Sequence, residues 1–180
     1  IIGISFPIVL VIGTVITGNC TEVQSSISAY YHTVMRDFFV GLLCAIALFL
    51  FAYKGYENAD AVAGNLACVF ALGVAFFPTS VSVPFTSCIT EPVESSIIST
   101  IHYISASGLF LVLSYFSLGL FTKKEENPTK MKMKRNKLYR ICGFIMLACI
   151  ALIAIYSLCT TNMKCLELQK YNPVFWLESI

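Results

Sequence analysis

Residues 130–163 read KMKMKRNKLYRICGFIMLACIALIAIYSLCTTNM, a run crowded with Lys and Arg that passes directly into a run with no charged side chain. An α-helix needs roughly 20 mostly apolar residues to cross the hydrocarbon core of a bilayer. Residues 141–163 therefore predict a transmembrane helix. Short loops rich in Lys and Arg stay on the cytoplasmic side of membranes, so the basic run also predicts which way the helix points.

Four further stretches of the chain contain no Asp, Glu, Lys or Arg. They are Ile1–Thr21, Phe38–Tyr53, Ala61–Thr90 and Ser95–Thr122. Hydrophobic residues make up 57% of the chain and charged residues only 12%, with a mean hydropathy of +0.79. A soluble domain of 180 residues could not hide this much apolar surface in one core. The sequence also carries no phosphate loop, dinucleotide fingerprint or nucleic-acid motif, so no nucleic-acid partner is expected.

We therefore predict an all-α polytopic membrane protein, a bundle of six transmembrane helices that forms a single domain over residues 1–180. The sixth helix begins near Pro173 and is expected to continue past Ile180, so that it is truncated in this chain. The expected bounds of the other five are Ile1 to about Gly18, Ser25 or Ser26 to about Gly55, Asp60 (a candidate cap) to Phe77, about Ser96 to Phe121, and about Leu138 to Leu158.

Orientation follows from the distribution of positive charge. Eight of the twelve Lys and Arg residues lie between Lys123 and Arg140, and residues 123–137 are predicted to form a basic cytoplasmic loop between the fourth and fifth helices. Both termini are then cytoplasmic, and the first, third and fifth loops lie outside. The plasma membrane or a bacterial inner membrane is the expected location.

The cysteines agree with this topology. Four of the eight fall in or beside loops assigned to the outside, and none falls in a cytoplasmic loop. Cysteines on an oxidising face favour disulfides. Four cysteines can pair in three ways, and their spacing favours one bond within the fifth loop and one between the first and third loops. The favoured pairs are Cys159 with Cys165 and Cys20 with Cys88.

Several polar and charged side chains are predicted to lie at membrane depth. Burying an ionisable group there costs free energy, so each is a candidate functional residue. His32, His102 and Glu178 each lie five or six residues inside a helix that begins at the outer face, so their depths coincide within a turn. Ser28 and Arg36 share the helix face of His32, whereas Asp37 points elsewhere. The predicted ligand-binding set is Ser28, His32, Arg36, Asp37, His102 and Glu178.

Three interpretations of this set stay open at the level of sequence. The side chains either hydrogen-bond between helices and only order the bundle, line a pocket for a ligand or headgroup, or hold a metal for catalysis. His32, His102 and a carboxylate only just supply the three or four ligands that zinc needs, and no His-x-x-x-His pair is present. We therefore assign no metal site and no catalytic residue, although zinc remains an alternative.

Three segments resemble a known group. Ser25-Ser-Ile-Ser-Ala29, Phe77-Pro-Thr79 at the end of the third helix and His102 near the start of the fourth resemble an uncharacterised bacterial six-helix membrane family, which is similar to the FRAG/DRAM/Sfk superfamily of eukaryotic membrane proteins. The likeness runs from about Ser25 to Leu158. It implies six helices, no established enzymatic activity and a link to lipid handling, including GPI-lipid remodelling and phosphoinositide-linked regulation. Ser28 and His102 match the family's polar positions.

A weaker likeness concerns the second helix. Ser28-Ala-Tyr-Tyr-His32-Thr33, followed by Asp37, resembles the Ser-x-x-x-His and downstream Asp of membrane hydrolases of the ceramidase and adiponectin-receptor group. Those enzymes hold zinc with additional histidines near the C-terminus. This chain has only two histidines, so it departs from that pattern.

These observations favour a non-enzymatic membrane protein that binds or senses a lipid or small amphiphile in an outward-facing polar pocket, with membrane lipids as partners. The first alternative is an accessory or structural subunit of a membrane complex, which implies a membrane-protein partner. The second is a metal-dependent lipid hydrolase. A channel or transporter is disfavoured, because no paired broken helices appear.

Overall fold

A computed structural model of the protein describes residues 2–18, 20–53, 55, 57–81, 88, 95–123, 129–161 and 171–180. Over these residues it is helical and contains no strand, which confirms the all-α prediction. The elements are α1 (Ile2–Gly18), a 3-10 helix (Ser28–His32), α2 (Arg36–Ala52), α3 (Asn58–Phe76), α4 (Ser96–Tyr115) with a π-helical turn directly after it (Phe116–Leu120), α5 (Lys130–Thr161) and α6 (Pro173–Ser179).

Three helical segments are long and apolar enough to cross a membrane: Asn58–Phe76, Ser96–Leu120 and Lys130–Cys159. Helices α1 and α2 are shorter, at 17 residues each. The outer surface is apolar as well, with Ile16 and Phe49 both more than 70% exposed. Apolar surface of this extent requires a cover, and a lipid bilayer supplies one. The all-helical fold and its three long apolar helices are consistent with a membrane protein.

Helix α3 lies between α2 and α4 and contacts both. Four alanines at intervals of four residues, Ala63, Ala67, Ala71 and Ala75, are all buried along it. Small side chains at this spacing let neighbouring helix backbones approach closely in a membrane. Its 19 residues span about 28 Å at 1.5 Å per residue, close to the thickness of a hydrocarbon core. Polar clusters at its two ends therefore lie about one hydrocarbon-core thickness apart.

Helices α2 and α3 approach each other closely at Gly64. A Cβ atom there would lie 3.0 Å from the Leu50 carbonyl oxygen and 3.4 Å from that of Tyr53, and backbone oxygens cannot rotate away. We expect Gly64→Ala to lower the free energy of unfolding by about 1 to 3 kcal/mol, measured as a lower melting temperature in detergent. Gly41→Ala is the matched control, because a Cβ at Gly41 meets nothing within 4 Å. Equal melting temperatures for the two variants would contradict this close approach.

The second predicted helix is broken, which corrects the expectation of one continuous helix from Ser25 or Ser26 to about Gly55. A 3-10 helix and a turn precede α2. The hydroxyl of Thr33 donates to the Tyr30 carbonyl oxygen and accepts from the Met35 amide. Side-chain bonds of this kind compete with the helical ladder, and here they end the 3-10 helix before α2 begins.

The fifth helix is longer than predicted. It begins at Lys130 rather than near Leu138, so the basic residues from Lys130 onward lie on a helix and not in a loop. The Thr129 hydroxyl accepts from the Lys132 amide and caps this start, and Lys, Arg and Met are good helix formers. Residues 124–128 of the predicted loop lie outside the described residues.

One of the two predicted disulfides is present. The sulfurs of Cys20 and Cys88 are bonded, with their Cα atoms 5.2 Å apart. Cys159 carries a free thiol in this structure, and its predicted partner Cys165 lies outside the described residues. The Cys159–Cys165 pair therefore stays a prediction without structural support.

Candidate functional site

His102, one turn and a half into α4, joins two other segments through both of its ring nitrogens. Its Nδ1 lies 2.7 Å from the Phe77 carbonyl oxygen, and its Nε2 lies 2.9 Å from Oγ of Ser28. A carbonyl oxygen only accepts, so Nδ1 must carry the proton. In a neutral imidazole the other nitrogen is then an acceptor, and the Ser28 hydroxyl donates to it. The ring is 2% exposed, so these bonds fix its orientation.

His32 makes a similar bond from the end of the 3-10 helix. Its Nε2 lies 2.7 Å from the Thr79 carbonyl oxygen and donates to it, and the ring is buried. The Thr79 hydroxyl lies 2.9 Å from the hydroxyl of Tyr103 on α4. The two histidines thus fasten the 3-10 helix and α4 to the segment that follows α3.

Glu178 on α6 reaches the same region. Its Oε2 accepts from the Ile27 amide at 2.6 Å, directly before Ser28. Two more bonds attach α6 to this segment, from the Phe175 amide to the Ser25 carbonyl oxygen at 3.2 Å and from Nδ2 of Asn172 to the Val23 carbonyl oxygen at 2.9 Å. The structure therefore brings together four predicted residues that we call the histidine cluster: Ser28, His32, His102 and Glu178.

Arg36 and Asp37 are placed differently. Arg36 donates from Nη2 to the Tyr31 hydroxyl at 3.1 Å, and its guanidinium lies 4.8 Å from the centre of the same ring. Asp37 is exposed at the start of α2. The predicted continuous face of Ser28, His32 and Arg36 is wrong, because the break before α2 turns Arg36 out of α-helical register with Ser28.

A groove runs between α4, α5 and α6 beside the histidine cluster. The space between these helices, about 350 Å³, includes open solvent, so the groove is shallow. Glu178 is the charged side chain in a wall that is otherwise apolar. We call this the α6 groove, and its lining residues are Phe110, Ile145, Met146, Cys149, Ile150, Ile153, Leu177, Glu178 and Ile180.

A second polar cluster lies at the opposite end of α3 and was not predicted. Asp60 is fully buried, and its carboxylate oxygens lie 2.9 and 3.1 Å from Nζ of Lys123. Nζ of Lys123 also lies 3.1 Å from Oε1 of Glu57. Hydrogen bonds that Lys123 donates to Asp60, and to a lesser extent to Glu57, raise the pKa of Lys123, so its ammonium stays charged at neutral pH. The residue that caps the start of α3 is Glu57, and Asp60, three residues further on, completes a capping box. This corrects the assignment of Asp60 as the cap.

Among the described residues, no group of three or more His, Cys, Asp or Glu side chains is placed to hold a metal ion. Both nitrogens of His102 already meet protein atoms.

Comparison of the chain with protein-family models, curated proteins and solved structures found no match. The predicted resemblance to the six-helix family therefore stays a prediction, and the function has to be argued from the site itself.

Proposed function

We propose that this protein is a multi-pass integral membrane protein that binds a lipid or a small amphiphile in the α6 groove. The observation that carries the proposal is the composition of the groove wall: apolar side chains from two long apolar helices and a single carboxylate, Glu178, where the groove meets the histidine cluster. An acyl chain matches the apolar wall, and a polar headgroup matches the end that holds Glu178.

Topology supports an outward-facing site. The histidine cluster lies near the end of α3 that precedes Cys88, and Cys88 is bonded to Cys20, as expected on an oxidising face. The Asp60–Lys123 pair lies at the other end of α3, next to the basic start of α5, as expected at the cytoplasmic face. In this orientation both termini are cytoplasmic, and six membrane crossings follow if α1, α2 and a longer sixth helix also span.

Filling the groove tests this proposal. Cys149 lines it, so we expect Cys149→Trp to displace the bound amphiphile and to lower the lipid that co-purifies in mild detergent at least tenfold, measured by mass spectrometry of extracted lipid. Ile155→Trp is the matched control, because Ile155 lies on the exposed side of α5 at 59% exposure. Wild-type protein without stoichiometric lipid, or equal lipid in both variants, would refute binding in the groove.

An accessory or structural subunit is the second candidate, and one observation favours it. The imidazole–carbonyl bonds connect three chain segments, which is what an ordering role requires. Purification in mild detergent separates the two functions, because a subunit would elute with a stoichiometric protein partner and a lipid-binding protein would not need one.

A further inference from the structure

The hydrogen bond between Ser28 and His102 has a geometry that lipid binding alone does not require. A serine hydroxyl donates to the unprotonated nitrogen of a neutral imidazole, and an acceptor on the opposite nitrogen holds the ring in that tautomer. This is the arrangement by which hydrolases activate serine, with a nucleophile, a base and a group that orients the base. Here the Phe77 carbonyl oxygen takes the orienting role.

We propose that Ser28 is a nucleophile and His102 its general base, and that the protein cleaves an acyl ester or amide of an amphiphile. This proposal rests on the proposed function, because it takes the bound amphiphile as the substrate. The class of substrate follows from the Ser28–His102 pair, because an activated serine hydroxyl attacks a carbonyl carbon.

The reaction needs only the substrate and water. Oγ of Ser28 attacks the carbonyl carbon while its proton passes to Nε2 of His102. The bond to the leaving alcohol or amine breaks, and that group takes the proton from Nε2, which leaves an acyl ester on Ser28. Water then attacks the ester, again giving a proton to Nε2, and that proton returns to Oγ as the free acid leaves.

The surroundings suit these roles. Among the described residues Ser28 is partly exposed, whereas His102 is buried. The amide of Ile27, the residue before Ser28, donates to Glu178, which lines the α6 groove. Glu178 therefore connects the groove to the segment that holds the serine.

A purely structural role makes a different prediction. A bond that only joins α4 to the 3-10 helix needs a hydrogen-bonding group at residue 102, and glutamine can supply one. Nucleophile activation needs a basic nitrogen, which glutamine lacks. His102→Gln therefore separates the two roles even where the fold is kept.

The test is covalent labelling of the full chain in detergent with two fluorophosphonates, one carrying a long alkyl chain and one a methyl group. We expect the long-chain probe to label Ser28, located by peptide mass spectrometry, and His102→Gln to slow labelling by 10²-fold or more. Ser28→Ala should lose the label and Ser26→Ala should keep it. Folding of each variant is checked by its melting temperature and by the Cys20–Cys88 bond.

Three results overturn the proposal: no label on Ser28 in folded protein, an unchanged rate in His102→Gln, or equal labelling of Ser28→Ala. Its failure is distinguishable from failure of groove binding. If both probes label Ser28 equally and Cys149→Trp has no effect on either, the nucleophile stands and the groove does not. If lipid co-purifies but Ser28 is inert to both probes, the groove stands and the nucleophile does not.

Discussion

Replacing Cys20 and Cys88 together by serine is expected to lower the free energy of unfolding by about 2 to 4 kcal/mol. The bond joins residues 68 positions apart, so it removes much of the conformational freedom of the unfolded chain. It also ties the end of α1, and with it the segment that leads to the 3-10 helix, to the chain between α3 and α4. Both cysteines are buried, at 1% and 6% exposure.

The measurement is the melting temperature in detergent with and without a thiol reductant. Wild type should melt lower when reduced, and the double variant should melt at that lower temperature in both conditions. Cys44→Ser is the control, because Cys44 is a free, partly buried thiol in α2 and should leave the reductant effect intact. Alkylation of Cys20 and Cys88 in unreduced protein would contradict both the bond and the outward orientation of this end of the bundle.

The sequence predicted the fold well where apolar runs decide it. Helices α1 and α3, and α4 taken together with its π-helical turn, begin and end within a few residues of the expected bounds, because an apolar run in a membrane protein can satisfy its backbone only as a helix. The break before α2 was missed because Ser28 and Thr33 fit a helical pattern, while their side chains bond to other segments or to local backbone. The spacing of polar and apolar residues in the sequence does not reveal hydrogen bonds of this kind.

The candidate site was also predicted only in part from the sequence. Equal depth predicted that His32, His102 and Glu178 would meet, and all three lie in one cluster. Depth does not say, however, which atoms these side chains bond. The shortest hydrogen bonds of the cluster are to backbone atoms of residues 27, 77 and 79, and the positions of residues 77 and 79 depend on how the chain leaves α3. The Asp60–Lys123 pair escaped prediction for a related reason, since each residue borders a different helix and only the packing of α3 against α4 joins them.

Asp60→Ala is expected to lower the free energy of unfolding by about 2 to 4 kcal/mol. It removes a charge-assisted hydrogen bond, worth about 1.5 to 3 kcal/mol, and the carboxylate that bonds the Glu57 amide in the capping box, where loss of a cap costs typically about 1 kcal/mol. The measurement is the melting temperature in detergent. Lys137→Met is the control, because Lys137 is exposed on α5 and should have no effect.

Lys123→Met tests the same pair from the other side. It removes the ammonium that lies 2.9 Å from the buried Asp60 carboxylate, and removal of one partner of a buried ion pair destabilises folded proteins. The double variant Asp60→Ala with Lys123→Met should therefore be more stable than the sum of the two single losses predicts, which is the sign of an energetic coupling between the two side chains. Because the pKa of Lys123 is raised on folding, its contribution is complete at neutral pH and is lost only as the pH rises through that raised value. Strict additivity of the two substitutions would mean that the ion pair does not hold the start of α3 to the end of the π-helical turn.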